Sequence, residues 1–343
     1  MIELRKPYLV FLADVRIPSF AKTAFGLRDW ARADCLGQLR LESCEVDLGL
    51  PDMDPAAAAA AGAGSLVIGI APVGGRIAEV WAPALLAAAE CGLDIVSGLH
   101  TRLEAVPGLS DAARRGGAAL VNIRTPPAGL PVGNGVRRSG KRLLTVGTDC
   151  ALGKKYTALV LARALRARGV SADFRATGQT GIMISGAGIP IDAVVADFLS
   201  GAAETLSPAA ATDHWDVIEG QGSLIHPGYA GVTLGLVHGS QPDALVLCHD
   251  PSRTVIVDAP HIPIPPLDVV ARRYLDAARL TNPDARLVGV SLNTSSLDDQ
   301  RRESLLGETA RQLGVPCFDP LKTSCEQVID DMLRDALPES RRG

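Results

Sequence analysis

Residues 142–169 read RLLTVGTDCALGKKYTALVLARALRARG. An apolar run, RLLTVG, leads into a loop bearing two glycines, and the loop leads into KKYTALVLARALRARG, whose apolar residues recur at helical spacing up to a closing glycine. A strand that runs through a loop straight into a helix is half of a strand–helix–strand crossover, and crossovers of this kind build parallel sheets. The same alternation extends along the chain. Before it, YLVFLADV (8–15), SLVIGIAP (65–72), DIVSGL (94–99) and AALVNIR (118–124) are short apolar runs suited to buried strands, with helical patterns at 76–92 and 109–116 between them. After it come ADFRATG (172–178), WDVIEG (215–220), DALVLCH (243–249) and RLVGVSLN (286–293).

The expected fold is therefore α/β in two parts. Residues 1–130 read as a Rossmann-like N-terminal domain, and 142–343 as a P-loop NTPase-like C-terminal domain with a doubly wound, mostly parallel sheet. Between them the stretch TPPAGLPVGNGVRRSGK (125–141) clusters proline, glycine and charge without periodicity, and residues 131–141 read as a linker. The alanine tract at 55–64 is compositional bias on a helix.

In GTDCALGK five residues separate Gly147 from Gly153, one more than in the common P-loop spacing. Backbone N–H groups of this loop, from Gly147 through Thr148, Asp149, Cys150, Ala151 and Leu152 to Gly153, Lys154, Lys155 and Tyr156, can curl around a phosphate, with the positive end of the following helix behind them. Lys154 would reach the phosphate oxygens. The next position normally carries the hydroxyl that holds Mg²⁺, but here it is Lys155. Thr157 lies two positions further on, about 200° around the helix. A loop with a second cation in place of the metal's ligand suits holding a diphosphate better than cleaving it. Coenzyme A, whose 3′-phospho-ADP part must be anchored while chemistry occurs at a distant thioester, is such a ligand.

Glu219 ends the strand of DVIEGQGSL, where it is placed to act as metal ligand or general base beside the loop. His226, in IHPGY, is a second acid/base candidate. Substrate contacts are expected from Gln179 and Thr180 in the glycine-rich ATGQTGIMISGAGIP, from Ser223 and Tyr229, and from two arginines suited to a carboxylate, Arg76 and Arg253.

The net charge of −4 argues against nucleic acid as the main partner, since phosphate binding there needs a broad basic surface. Seven cysteines at irregular spacing and six scattered histidines form neither a disulfide frame nor a zinc pattern, so no metal is expected and the thiols read as reduced. The N-terminal MIELRKPYLVFLADV is too short and too broken by Asp14 for a signal peptide, and no apolar run reaches the ~18 residues of a membrane helix. A cytoplasmic enzyme, probing neither membrane nor nucleic acid but acting on a small molecule as a homo-oligomer, is the expectation.

GTDCALGK resembles the GTDTEVGK loop of dethiobiotin synthetase, and EGQGSL resembles the EGAGG turn of that enzyme and of cobyrinate synthases. Longer segments point elsewhere. APVGGRI, GTDCALGKK, ATGQTGI, GIPIDAVVADFLSGAAE, EGQGSLIHPGYAGVTLGLVHGSQPDALVLCH and VGVSLNTS together resemble the signature segments of a P-loop family whose members include bacterial D-glutamate N-acetyltransferases. That resemblance covers nearly the whole chain. It implies an acyltransferase that uses acetyl-CoA as co-substrate and an amino acid, D-glutamate above all, as acceptor. The alternative, an ATP-dependent ligase or kinase like dethiobiotin synthetase, would have to find its Mg²⁺ ligands without a hydroxyl at 155.

Overall fold

The computed structural model describes residues 1–72 and 74–334. They group into two compact units: Met1–Pro127 with Gly178–Ala193, and Ala128–Thr177 with the chain from Val194 on.

The first unit is built on five parallel strands: β1 (Tyr8–Ala13), β2 (Cys35–Arg40), β3 (Ser65–Ile68), β4 (Asp94–Ser97) and β5 (Leu120–Asn122), in the order β2-β1-β3-β4-β5. All six residues of β1 are fully buried, as a central parallel strand covered on both faces requires. The apolar runs at 8–15, 65–72, 94–99 and 118–124 all yield strands. β2 has no such run, because Gly37, Gln38 and Arg40 interrupt it. It sits at the sheet's edge, and Gly37 is needed there: a Cβ would stand 2.6 Å from Met53 Sδ and 2.8 Å from Pro51 O. The alanine tract forms the helix Pro55–Ala60, started by Asp54, whose carboxylate accepts Ala57 N–H at 2.7 Å.

Gly178–Ala193 lies within the stretch expected as the second domain but groups with the first unit. Two connections explain this. Ala187–Gly188 pairs antiparallel with Ile2–Glu3, and the Thr180 and Thr23 hydroxyls hydrogen-bond at 3.1 Å.

The second unit carries six parallel strands: β6 (Lys141–Gly147), β7 (Ala172–Arg175), β8 (Trp215–Ile218), β9 (Ala244–His249), β10 (Arg286–Leu292) and β11 (Cys317–Phe318), ordered β11-β10-β9-β6-β8-β7. β6 therefore lies inside the sheet with β8 and β9 as neighbours, so whatever follows those two strands flanks the glycine loop. The stretch read as a linker is fastened down on this unit. The Glu204 carboxylate accepts Asn134 and Gly135 N–H at 2.8–3.1 Å, and the Arg138 guanidinium donates to Ser207 O and Gly239 O, each at 2.8 Å. Among the described residues no helix is long and apolar enough to cross a membrane.

Candidate functional site

β6 ends at Gly147 and the helix Lys154–Ala167 begins after Gly153, whose φ of +101° suits glycine. Thr148 N–H donates to Cys248 O at 3.1 Å, and its hydroxyl lies 2.8 Å from His249 Nδ1. Asp149 is wholly buried. Its Oδ1 accepts Cys150 N–H at 2.7 Å, while Oδ2 accepts Val257 N–H at 3.0 Å and Arg253 Nη1 at 3.1 Å. The same guanidinium also donates to Cys150 O at 2.7 Å and Ala151 O at 3.2 Å. Arg253, expected to grip substrate, is thus engaged in bracing the loop: it spans Asp149 to Ala151, the latter in a left-handed conformation with φ +52°.

Lys154 is buried and its Nζ donates to Asp149 O at 2.7 Å. Burial lowers its pKa from the usual lysine value, against the opposing pull of Cys248, Cys150, Asp149 and Glu219. Lys155 is half-buried, with Nζ 4.6 Å from the Tyr156 ring centroid. Burial lowers its pKa too, and the Glu219 carboxylate works against that shift. Thr157 faces the sheet instead: it is buried, with its hydroxyl 2.8 Å from Ser291 Oγ. It therefore does not supply the hydroxyl missing at 155.

Glu219 emerges from β8 beside this loop and is buried. Its Oε2 accepts Thr177 N–H at 3.0 Å and its carbonyl accepts the Thr177 hydroxyl at 2.7 Å. Gly220 lets the end of β8 lie directly against β6. A Cβ there would stand 1.7 Å from Thr145 O and 3.1 Å from Lys154 Cδ. Gln221 Nε2 donates to Thr177 Oγ1 at 3.1 Å. The Tyr274 hydroxyl donates to Gly147 O at 2.7 Å and accepts Leu224 N–H at 3.1 Å, tying the loop to the 219–224 turn. Burial pushes its pKa up to about 12, so it stays a donor. Ser223 is wholly buried, and its carbonyl accepts His226 N–H at 3.1 Å.

His226 is buried, and its Nδ1 accepts Gly228 N–H at 3.1 Å. The neutral ring then carries its proton on Nε2, a buried atom without a hydrogen-bond partner. In this tautomer the ring offers a donor rather than a base. Tyr229, largely exposed, tilts its ring over His226 with centroids 4.6 Å apart. One ligand-type atom each from Asp149, Cys150 and His226 lie within 4.8 Å of one another. Both Asp149 oxygens and the His226 Nδ1 lone pair are already used, however, and burial raises the Cys150 thiol pKa. The trio is chemically a carboxylate and a ring nitrogen already engaged as acceptors beside a protonated thiol, poorly matched to a cation.

The remaining expected residues lie in the first unit. Arg76 is exposed, Thr180 bonds Thr23, and the Gln179 side-chain oxygen is buried without a partner. Sequence reading missed Thr177 and Tyr274. Thr177 stands inside ATGQTG, two residues before Gln179, whereas Tyr274 comes from a helix without any motif.

Two family models match the chain: a Rossmann-like domain of unknown function, DUF1611_N, over residues 38–126, and a P-loop domain of unknown function, DUF1611_C, over residues 131–329. The chain is 46% identical over 330 residues to a D-glutamate N-acetyltransferase of Tritonibacter scottomollicae, spanning 96% of this chain and 98% of the relative. A D-glutamate N-acetyltransferase of a Pseudoalteromonas species is 44% identical over 331 residues, spanning 96% of this chain and all of the relative. The crystal structure of a DUF1611 family protein from Anabaena variabilis superposes with a TM-score of 0.83 at 34% identity, over 96% of this chain and all of that one. A glycine loop with paired lysines on a parallel sheet, a second Rossmann-like unit and near full-length likeness to these proteins agree: the chain belongs to the DUF1611 family.

Proposed function

We propose that this protein is an N-acetyltransferase that moves an acetyl group from acetyl-CoA to the amino group of D-glutamate. The observation that carries this reading is the 44–46% identity, across 96% of the chain, to two relatives that bear that name. The geometry of the loop supports a CoA donor. In this reading Lys154 and the N–H groups from Ala151 to Lys155 take phosphate oxygens, and Lys155, half-buried at the position of the metal-binding hydroxyl, supplies a counter-charge.

Acyl transfer requires the acceptor's ammonium to lose a proton before its nitrogen can attack the thioester carbon. Glu219 is the base in this reading, since His226 already carries its proton on Nε2 and has its Nδ1 lone pair engaged. In this reading the Nε2–H of His226, with N–H groups of Gln221, Gly222 and Ser223, donates to the oxygen that gains charge as the carbon becomes tetrahedral. Collapse expels the CoA thiolate, which takes up a proton, leaving N-acetyl-D-glutamate and CoA. Holding amine and thioester together supplies much of the acceleration. Tyr229, exposed over the His226 ring, borders this reaction space, while the wholly buried Ser223 supports the turn from behind and Arg253 acts through the loop it braces.

The test compares two incubations of the purified protein, one with acetyl-CoA and D-glutamate and one with ATP, Mg²⁺ and D-glutamate. Free thiol in the first and no ADP in the second is the expected result. ADP without thiol release would favour the ATP-dependent ligase or kinase.

A further inference from the structure

The first unit holds a small cleft of its own, of about 160 Å³, at the carboxyl ends of β3, β4 and β5. Pro72 and Gly75 follow β3, Gly98 and His100 follow β4, and Arg124 follows β5; Gln179 completes the lining. This end of an open parallel sheet is where ligands bind in such folds. The volume fits an amino-acid-sized group and is well below the hundreds of Å³ of drug-sized sites.

Two glycines make the cleft. A Cβ at Gly98 would stand 2.7 Å from Gln179 Oε1, and one at Gly75 would stand 2.6 Å from His100 Cδ2. Either would push a polar side chain out of place. Arg124 is set by its Nε, which donates to Gly98 O at 2.9 Å, while Asp192 Oδ2 lies 3.5 Å from Nη1 in an ion pair open to solvent. Its Nη2 has no partner among the described residues. Gln179 Oε1 is buried and accepts nothing. A buried acceptor without a donor is costly and rare in a folded protein. The cleft therefore joins a cation on its wall to an unpaired acceptor buried beside Gly98.

We infer that this cleft binds the head group of the amino-acid acceptor: Arg124 takes a carboxylate, and Gln179 Oε1 accepts an N–H of the α-amino group. The assignment rests on the proposed acyl-transfer reading for the identity of the ligand.

Arg124→Gln should raise the KM for D-glutamate about 10- to 100-fold, the range of a charge-assisted carboxylate contact, and leave the KM for acetyl-CoA unchanged. Gln179→Leu should weaken D-glutamate binding about tenfold in calorimetry but leave binding of glutarate, which lacks the amine, unaltered. Asp192→Asn removes a solvent-open ion pair outside the cleft, and its KM for D-glutamate should stay within about twofold of wild type, since one such pair contributes little. Arg124→Lys keeps the charge without the fork, serves if Arg124→Gln does not fold, and should raise the KM by an intermediate factor. An unchanged KM in the folded arginine variants, an equal loss in Asp192→Asn, or equal losses of D-glutamate and glutarate binding in Gln179→Leu would overturn the assignment. Should the wild type transfer no acetyl group, calorimetry still decides: D-glutamate binding that Arg124→Gln abolishes keeps the subsite, and no binding to the wild type removes it.

Discussion

The ammonium of Lys155 lies 4.6 Å from the centre of the Tyr156 ring, half-buried on the first turn of the helix that follows the glycine loop. A lysine there would ordinarily reach into water. The aromatic face keeps this one close to its helix, and the Glu219 carboxylate acts on it. Lys155→Thr restores the usual P-loop hydroxyl but removes this charge. It should raise the KM for acetyl-CoA about tenfold and flatten its salt dependence, without creating an ATPase, since a nucleotidase also needs a positioned water and further metal ligands. Unchanged acetyl-CoA kinetics across ionic strength would show that the charge plays no part.

Lys154→Ala should weaken CoA binding about 10- to 100-fold in calorimetry, because it removes a buried, charge-assisted contact to phosphate. The variant also loses the 2.7 Å bond to Asp149 O, so a circular-dichroism melt must accompany the titration. An unaltered Kd would remove the loop as the phosphate site.

Affinity should depend on pH in the alkaline range. Burial holds both lysines below the usual value of 10.5, and a bound phosphate raises them again. CoA binding is then full below the depressed values, falls as pH rises through them, and takes up protons in that window. In the free protein the sign is opposite: the unfolded chain holds more protons there, so these two groups add stability as pH rises towards 10.5. Calorimetry in buffers of different ionisation enthalpy reads the proton uptake. Proton release on binding would contradict the assignment.

Gly220→Ala places a Cβ 1.7 Å from Thr145 O, a backbone atom that has no room to retreat inside the sheet. The substitution should cost at least about 3 kcal/mol of stability and abolish turnover, as overpacking at a backbone contact does. A chemical-denaturation midpoint equal to that of wild type would show that β6 and β8 do not meet this tightly.

Much of this was legible in the residues themselves. The glycine loop and its lysines are contiguous, so their pattern is local, and Glu219 is marked by a strand end followed by glycine. The parallel sheets follow from apolar runs that need both faces covered. β2 was not legible, because its edge position tolerates Gly37, Gln38 and Arg40. Arg253 looks like any surface arginine in sequence; only the return of the chain after β9 places it against Asp149. Gln179 likewise gives no sign that it closes a cleft with Arg124, since the pairing arises where Gly178–Ala193 joins the first unit. Local chemistry was readable, and long-range partnership was not.

The most direct measurement is the release of free thiol from acetyl-CoA, with D-glutamate as acceptor, by the full-length protein in EDTA and without ATP. Thiol and N-acetyl-D-glutamate appearing in equal amounts, undiminished by the chelator, is the predicted result. Thiol release that stops in EDTA and returns with Mg²⁺, or turnover seen only when ATP is supplied, would contradict the account.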